Sequence, residues 1–479
     1  MRNGIGKKKR QYQRILKRLP RLYEYSQQVY VNYMQTKKRG KREEAWATAY
    51  CYVLAPVLFL FVLWVLADAM WNGKRRLYFL SRDGYMMYTV AKYVCERWQL
   101  PMECRYLYCS RYSLRGGEYR LLGKRSLDHI CLGGMRVTLE RMMMRGLLTA
   151  EEAAEAGTYM GWEHKMHKLL TYEQVKGMRP LLENNPLFMD KMREHSGEQY
   201  PYVTGYLRQE GLMDDVPYAI VDSGWTGTVQ RSIHRLLKSA GYKGKVEGYY
   251  FGLYEYPKGA DSGLYHTWYF APKGKKWRKA FFCNNLFECV FSSPEAMVKG
   301  YCKNKGSYEP VFAAKSNKNR RYAEAGADIL LRYAECYTGE SEDKFGEADR
   351  MERNLRLEMR VAAKLLHSFM GCPSREEAEV FGSYLFDDDV TGEEKRPLAR
   401  ALTRKEIKEE RLVRKLFRHA AGKEHKFQSS AWPEASLVLS GAAGGSILSR
   451  TALYKILLYF RKDLERIISP GGRVNERRK

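Results

Sequence analysis

Ala45–Ala67 carries no charged residue, and within it runs Val53-Leu54-Ala55-Pro56-Val57-Leu58-Phe59-Leu60-Phe61-Val62-Leu63-Trp64-Val65-Leu66. A stretch this apolar must be covered, either by lipid or by the rest of the chain. A spanning helix needs about 20 apolar residues. Pro56 suits the first turn of a helix, which leaves about 15 residues to Met70, or about 22 Å at 1.5 Å each. That length is short for a span. The segment also passes through Asn72-Gly73-Lys74-Arg75-Arg76 into Leu77-Tyr78-Phe79-Leu80, which reads as a buried strand. The expectation is therefore a core helix over 45–71, with a membrane-inserted or interfacial helix as the alternative. No cleavable leader is expected, because the basic start lacks an apolar core and small-residue site at the right distance.

The rest of the composition supports a large core. The chain has 479 residues, 45% hydrophobic and 13% aromatic, which excludes a disordered polymer. Two domains, or one large domain with appendages, fit that length. The ten cysteines are scattered without a C-x-x-C pair, as expected for a reduced, intracellular protein without structural zinc. The net charge of +28 concentrates in Met1–Arg42, in Arg404–Lys426 and near the end at Arg473–Lys479. Such charge suits nucleic acid, anionic lipid or phosphorylated small molecules alike.

Periodicity divides the chain into a basic arm (1–44), the apolar helix (45–71), an α/β core (72–315) with a helical insertion at about 115–215, and a helical C-terminal region (316–479). The arm has enough Leu, Ile and Val for one or two short amphipathic helices, and otherwise reads as solvated and partly ordered. Leu77–Leu80, Arg105–Cys109, Tyr218–Val221 and Lys245–Leu253 read as strands, with helices over Tyr85–Gln99 and Val229–Ala240. Helices are also expected at Met142–Ala156, Tyr172–His195, Arg321–Tyr337, Ala348–Phe369, Arg404–Ala421 and Ser449–Ile468. Alternation of this kind predicts a parallel sheet with flanking helices, and ligands then gather beyond the carboxyl ends of the strands.

Two strand-end loops carry the chemical signals. In Leu80-Ser81-Arg82-Asp83-Gly84-Tyr85, a strand turns into a helix start, where backbone N–H groups and Arg82 suit phosphate. Asp83 there can receive a hydroxyl, hold a divalent cation such as Mg²⁺, or cap the helix. In Val221-Asp222-Ser223-Gly224-Trp225-Thr226-Gly227-Thr228-Val229, small residues admit an anion to the backbone, hydroxyls donate to it, and Asp222 can take sugar hydroxyls. Trp225 either stacks on a ring or covers the loop. Arg111, just past the second strand, is a further phosphate ligand. Neither loop matches a dinucleotide or nucleoside-triphosphate glycine motif.

Phe79–Tyr85 resembles the first motif of haloacid-dehalogenase phosphatases, but Ser81 stands where the nucleophilic Asp belongs. That departure speaks against aspartyl-phosphate chemistry. Val221–Thr228 is similar to the phosphoribosyl-pyrophosphate loop of type I phosphoribosyltransferases, with Asp222, Thr226, Gly227 and Thr228 on the motif and Ser81–Gly84 in place of the pyrophosphate loop. It has one acidic residue rather than two and ends T-G-T-V. Motifs in one order over roughly residues 45–315 include Leu77–Tyr85, Tyr106–Leu114, Val221–Gln230, Leu286–Glu295 and Gly300-Tyr301. Together they resemble the downstream, non-phosphatase region of haloacid-dehalogenase-linked proteins of bacterial surface-polysaccharide loci. The resemblance implies a phosphoribosyltransferase-like fold and a glycan context, while hydrolase activity would follow by association only.

The leading expectation is a transferase-like enzyme that binds a phosphorylated sugar or nucleotide sugar, cytoplasmic with membrane association through the basic arm. Asp83 and Asp222 are its expected catalytic residues. Ser81, Arg82, Gly84, Arg111, Ser223, Gly224, Trp225, Thr226, Gly227 and Thr228 are its expected binding residues. A non-catalytic scaffold on anionic lipid is the alternative, and nucleic acid is disfavoured for want of a recognised module. Glu288 and Glu295 flank an apolar stretch that can bring one carboxylate to the site, although surface placement is the commoner outcome. Met142-Met143-Met144 reads as core.

Overall fold

The structure, a computed structural model, describes residues 4–36, 40–133, 137–314, 319–340, 348–387, 395–409, 430–441, 452–461 and 463. The expected helix Arg404–Ala421 is described only as Arg404–Glu409, and of Ser449–Ile468 only 452–461 and 463 are described. The basic stretches 410–426 and 473–479 lie outside the described residues.

At the centre is a five-stranded, all-parallel sheet formed by β1 (Arg76–Leu80), β2 (Glu103–Leu107), β3 (Tyr218–Trp225), β4 (Glu247–Leu253) and β5 (Tyr265–Phe270), in the order β2-β1-β3-β4-β5. The chain is thus an α/β protein. Every residue of β1 is buried, as an interior strand covered on both faces requires. On one face Leu77, Phe79, Ala219 and Val221 pack with Met86, Met87 and Val90 of helix Gly84–Trp98 and with the apolar helix. On the other, Tyr78, Leu80, Leu107 and Ile220 meet Leu114, Val203, Ile233 and Leu236 from helices Arg111–Leu122, Pro186–Gln209 and Thr228–Ser239. The insertion has its own core around Met142, Met143, Leu182 and Phe188. A hairpin of β6 (Val298–Asn304) and β7 (Ser307–Phe312) closes the region.

The apolar helix is longer than the position of Pro56 implies. It runs without interruption from Lys41 to Trp71, 31 residues, with a π-helical turn at Tyr50–Leu54. The Ala55 N–H reaches back to the Tyr50 carbonyl, and this wider turn gives the Pro56 ring a place inside the helix. Among the described residues it is the one helix long and apolar enough to cross a membrane, and 78% of its apolar window is buried in the protein. Phe61 packs on Phe251 and Trp268 of the sheet, while Phe59 packs on Tyr333 and Tyr337 of helix Arg320–Glu340.

The basic arm forms two helices, Gly4–Leu16 and Pro20–Gln35, in line with its apolar content, but they pack on the core where a solvated arm was expected. Ile5, Tyr12, Leu16, Leu22, Tyr25 and Val29 are buried in the main core. Lys8 donates to the carbonyls of Ser368 and Cys372, and Lys9 lies 3.7 Å from the centre of the Tyr30 ring. Those two ammonium groups face the protein.

Candidate functional site

The strand order reverses between β1 and β3, so the connections after these strands leave to opposite faces and open a crevice at their carboxyl ends. Both chemical segments end there. Ser81 Oγ donates to the Cys109 carbonyl (2.7 Å) and accepts from the Cys109 N–H (3.0 Å). Its hydroxyl ties the end of β1 to the segment after β2. Asp83 occupies the N-cap of helix Gly84–Trp98, yet its carboxylate caps nothing. Instead it accepts a 2.6 Å hydrogen bond from Ser223 Oγ across the crevice. Gly84 lets the helix begin against β1, since a Cβ there would sit 3.0 Å from the Phe79 carbonyl carbon.

β3 runs on to Trp225, four residues beyond its apolar run, so Asp222 and Ser223 belong to the strand. The Ser223 N–H donates to Asp222 Oδ1 at 2.9 Å. Gly224 is left-handed at φ +110°, opposite Gly252 of β4, and a Cβ on it would lie 2.4 Å from the Gly252 carbonyl oxygen. Gly224→Ala is expected to lower stability by more than about 1 kcal/mol, through strain and this backbone contact; chemical denaturation measures it.

Trp225 faces inward. Its ring packs 5.2 Å from Phe282 and edge-on, at 5.7 Å, to Phe287, and its indole N–H donates to Glu288. Glu288, on helix Asn284–Phe291, thereby joins Asp83 and Asp222. All three carboxyl side chains are half-buried. Burial, then the Asp83 charge, pushes the Asp222 carboxyl up to about 8, against the Ser223 N–H and Arg111. Glu288 is raised to about 7 by burial and by Asp83, against Arg111, the Trp225 hydrogen bond and Arg82. Burial also raises Asp83, opposed by the Ser223 hydroxyl, Arg82 and Arg111. Such clustered carboxyls hold protons near neutrality and suit acid–base work.

Arg82 and Arg111 supply the local positive field, although among the described residues neither guanidinium has a hydrogen-bond or ion-pair partner. Arg111 opens helix Arg111–Leu122, whose N-cap Ser110 accepts from the Ser113 N–H. The structure thus brings Ser81, Arg82, Asp83, Gly84, Arg111, Asp222, Ser223 and Trp225 to one crevice. The Thr226 and Thr228 hydroxyls meet each other at 3.4 Å and bond to none of the three carboxylates. Gly227, left-handed at φ +60°, turns the chain into helix Thr228–Ser239 beside Tyr265.

Glu295 lies farther along the same edge, where it accepts from the Tyr108 hydroxyl at 3.1 Å. No group of three His, Cys, Asp or Glu side chains suited to a metal ion occurs among the described residues. A cavity of about 560 Å³ lies elsewhere, in the insertion, lined in part by Arg120, Lys124, Met189 and Met192. It contains none of the strand-end residues. No protein-family model matches this chain, and no curated protein matches it either.

Proposed function

We propose that the crevice between β1 and β3 binds a phosphorylated sugar or nucleotide sugar, and that the chain is a transferase-like enzyme of bacterial surface-polysaccharide biosynthesis. One observation carries the reading: three interacting carboxyls and two uncommitted guanidinium groups meet at the switch point of a parallel sheet. Arg82 and Arg111 hold the phosphate. Asp222 and Glu288 retain protons near neutrality, so one of them donates to a departing oxygen while Asp83 receives a sugar hydroxyl. A Mg²⁺ ion carried in on a diphosphate would need only one or two carboxylates, and Asp83 would be the one to hold it. Rate gain then comes from placement and charge stabilisation. The phosphoribosyltransferase-like reading of the sheet is supported by β3 carrying Asp222 after its apolar run and leading through Thr226-Gly227-Thr228 into a helix. The polysaccharide setting rests on the ordered motifs over roughly residues 45–315.

Thermal-shift measurements with a panel of nucleotide sugars, and with phosphoribosyl pyrophosphate plus Mg²⁺, test the reading. At least one ligand is expected to raise the melting temperature by several degrees. Arg111→Ala is expected to lose that shift while melting normally without ligand, because Arg111 is exposed and unpaired. A panel without any shift, together with binding to anionic lipid vesicles, would replace the enzyme with a membrane-surface scaffold.

A further inference from the structure

Beyond the crevice, helices Arg111–Leu122 and Thr228–Ser239 pack against each other on one face of the sheet. Residues three and four apart share a helix face, so Arg115 and Glu118 lie on one side of the first helix, and Arg231, Ser232 and Arg235 lie close together on the second. Glu118 is fully buried, accepting from Ser232 Oγ at 2.6 Å and from Arg235. That carboxylate is therefore spent on Arg235. Arg115 is only 6% exposed, and among the described residues it has no hydrogen-bond or ion-pair partner. Arg231, half-buried, has none either.

A buried guanidinium without a partner is costly, because its desolvation is uncompensated. Native structures rarely leave such a group unmatched without a role for it. The surroundings make the cost larger. Burial lowers the Arg115 pKa, and the Arg111 and Arg145 charges add to it against Tyr119 and Glu118. His129, pushed down to about 4 by burial and then by Arg115 and Arg235, is a neutral imidazole at pH 7. With Glu118 set against Arg235, the two remaining guanidinium groups leave an excess of two positive charges.

We propose that the seam between these two helices is a second anion site, in which Arg115 and Arg231 bind a phosphoryl dianion with neutral His129 as an added hydrogen-bond donor. The ligand is either free phosphate or diphosphate, or the phosphate end of a larger ester. The site shares no residue with the three carboxyls, so its existence does not depend on their chemistry.

Titration calorimetry of the full chain at constant ionic strength tests the site, with inorganic phosphate, pyrophosphate and a nucleoside diphosphate as probes. Saturable binding of pyrophosphate is expected, and Arg231→Ala should weaken it about tenfold or more. Arg115→Met is expected to abolish binding and also to raise the melting temperature of the ligand-free protein, since it removes a buried unpaired charge. A purely structural Arg115 would lower that temperature instead. Arg82→Ala, which removes a guanidinium that holds phosphate in the crevice, should leave pyrophosphate binding intact, which separates this site from the crevice. Tighter binding of the nucleoside diphosphate than of pyrophosphate assigns the site to an ester; equal binding assigns it to the free anion. Absence of saturable binding to the unaltered protein, or binding by Arg115→Met and Arg231→Ala as tight as by the unaltered protein, overturns the proposal.

Discussion

Asp222→Asn will raise the melting temperature of the ligand-free protein at about pH 9 and remove most of the stability decline between about pH 5 and pH 9. An ordinary Asp titrates near 3.9, whereas burial and the Asp83 charge lift Asp222 to about 8. Between those values the folded state holds a proton that the unfolded chain has released. Folding therefore loses stability as pH rises through the window, with the full cost present only above about 8. Asparagine keeps an acceptor oxygen for the Ser223 N–H and has no proton to lose. After discounting for partial exposure, the gain at about pH 9 is on the order of 2–4 kcal/mol. Glu288→Gln should act in the same direction over a window ending nearer 7. Asp83→Asn should shift both windows to lower pH, because it removes a charge that raises both neighbours. Denaturation midpoints measured across pH check all three. A slope unchanged in Asp222→Asn would show that Asp222 ionises like a surface carboxylate and would remove its role as a proton donor.

Phe59→Ala should lower stability by about 3–5 kcal/mol, the cost of deleting a large ring from a packed core. Phe59 is fully buried, with Tyr333 at 5.4 Å and Tyr337 at 4.7 Å between ring centres. The loss is a large fraction of the 5–15 kcal/mol typical of a folded protein. Urea unfolding in detergent-free buffer is the measurement. An unchanged midpoint would mean that this face of the helix is covered by something other than helix Arg320–Glu340.

Leu77–Leu80, Tyr218–Val221 and the Lys245–Leu253 strand were legible as apolar runs, as parallel strands buried on both faces must be, whereas the edge strand β2, with only Leu107 buried, was legible from its short aromatic and aliphatic run alone. β5 was not, because His266 and Thr267 interrupt its apolar pattern and only one 3-10 turn, Ser262–Leu264, precedes it where a βαβ unit would have an α-helix. The hairpin β6–β7 has largely exposed strands and is set by the left-handed Lys305-Gly306 turn, a signal its flanking lysines obscure. Pro56 misled about the apolar helix, since one π turn accommodates it.

At the site, Asp83 and Asp222 were legible from strand-end position, but their link through Ser223 was not. Which neighbour a strand takes is a tertiary decision. Glu288 lies 66 residues beyond Asp222 on a short helix, and only packing of Trp225 among Phe282 and Phe287 carries it to the crevice. Arg115 gave no signal at all. Its meaning depends on Glu118 being bound by Arg235 of another helix.

The pairing of Phe59 with Tyr333 bears on how the chain is made. The aromatic partner emerges from the ribosome about 270 residues after Phe59, an interval of roughly 15–55 s at ordinary elongation rates of 5–20 residues per second. During it, the most apolar segment of the chain exists without the helix that covers one of its faces. Synthesis therefore presents cellular chaperones and targeting factors with a nascent apolar helix well before the finished protein conceals it.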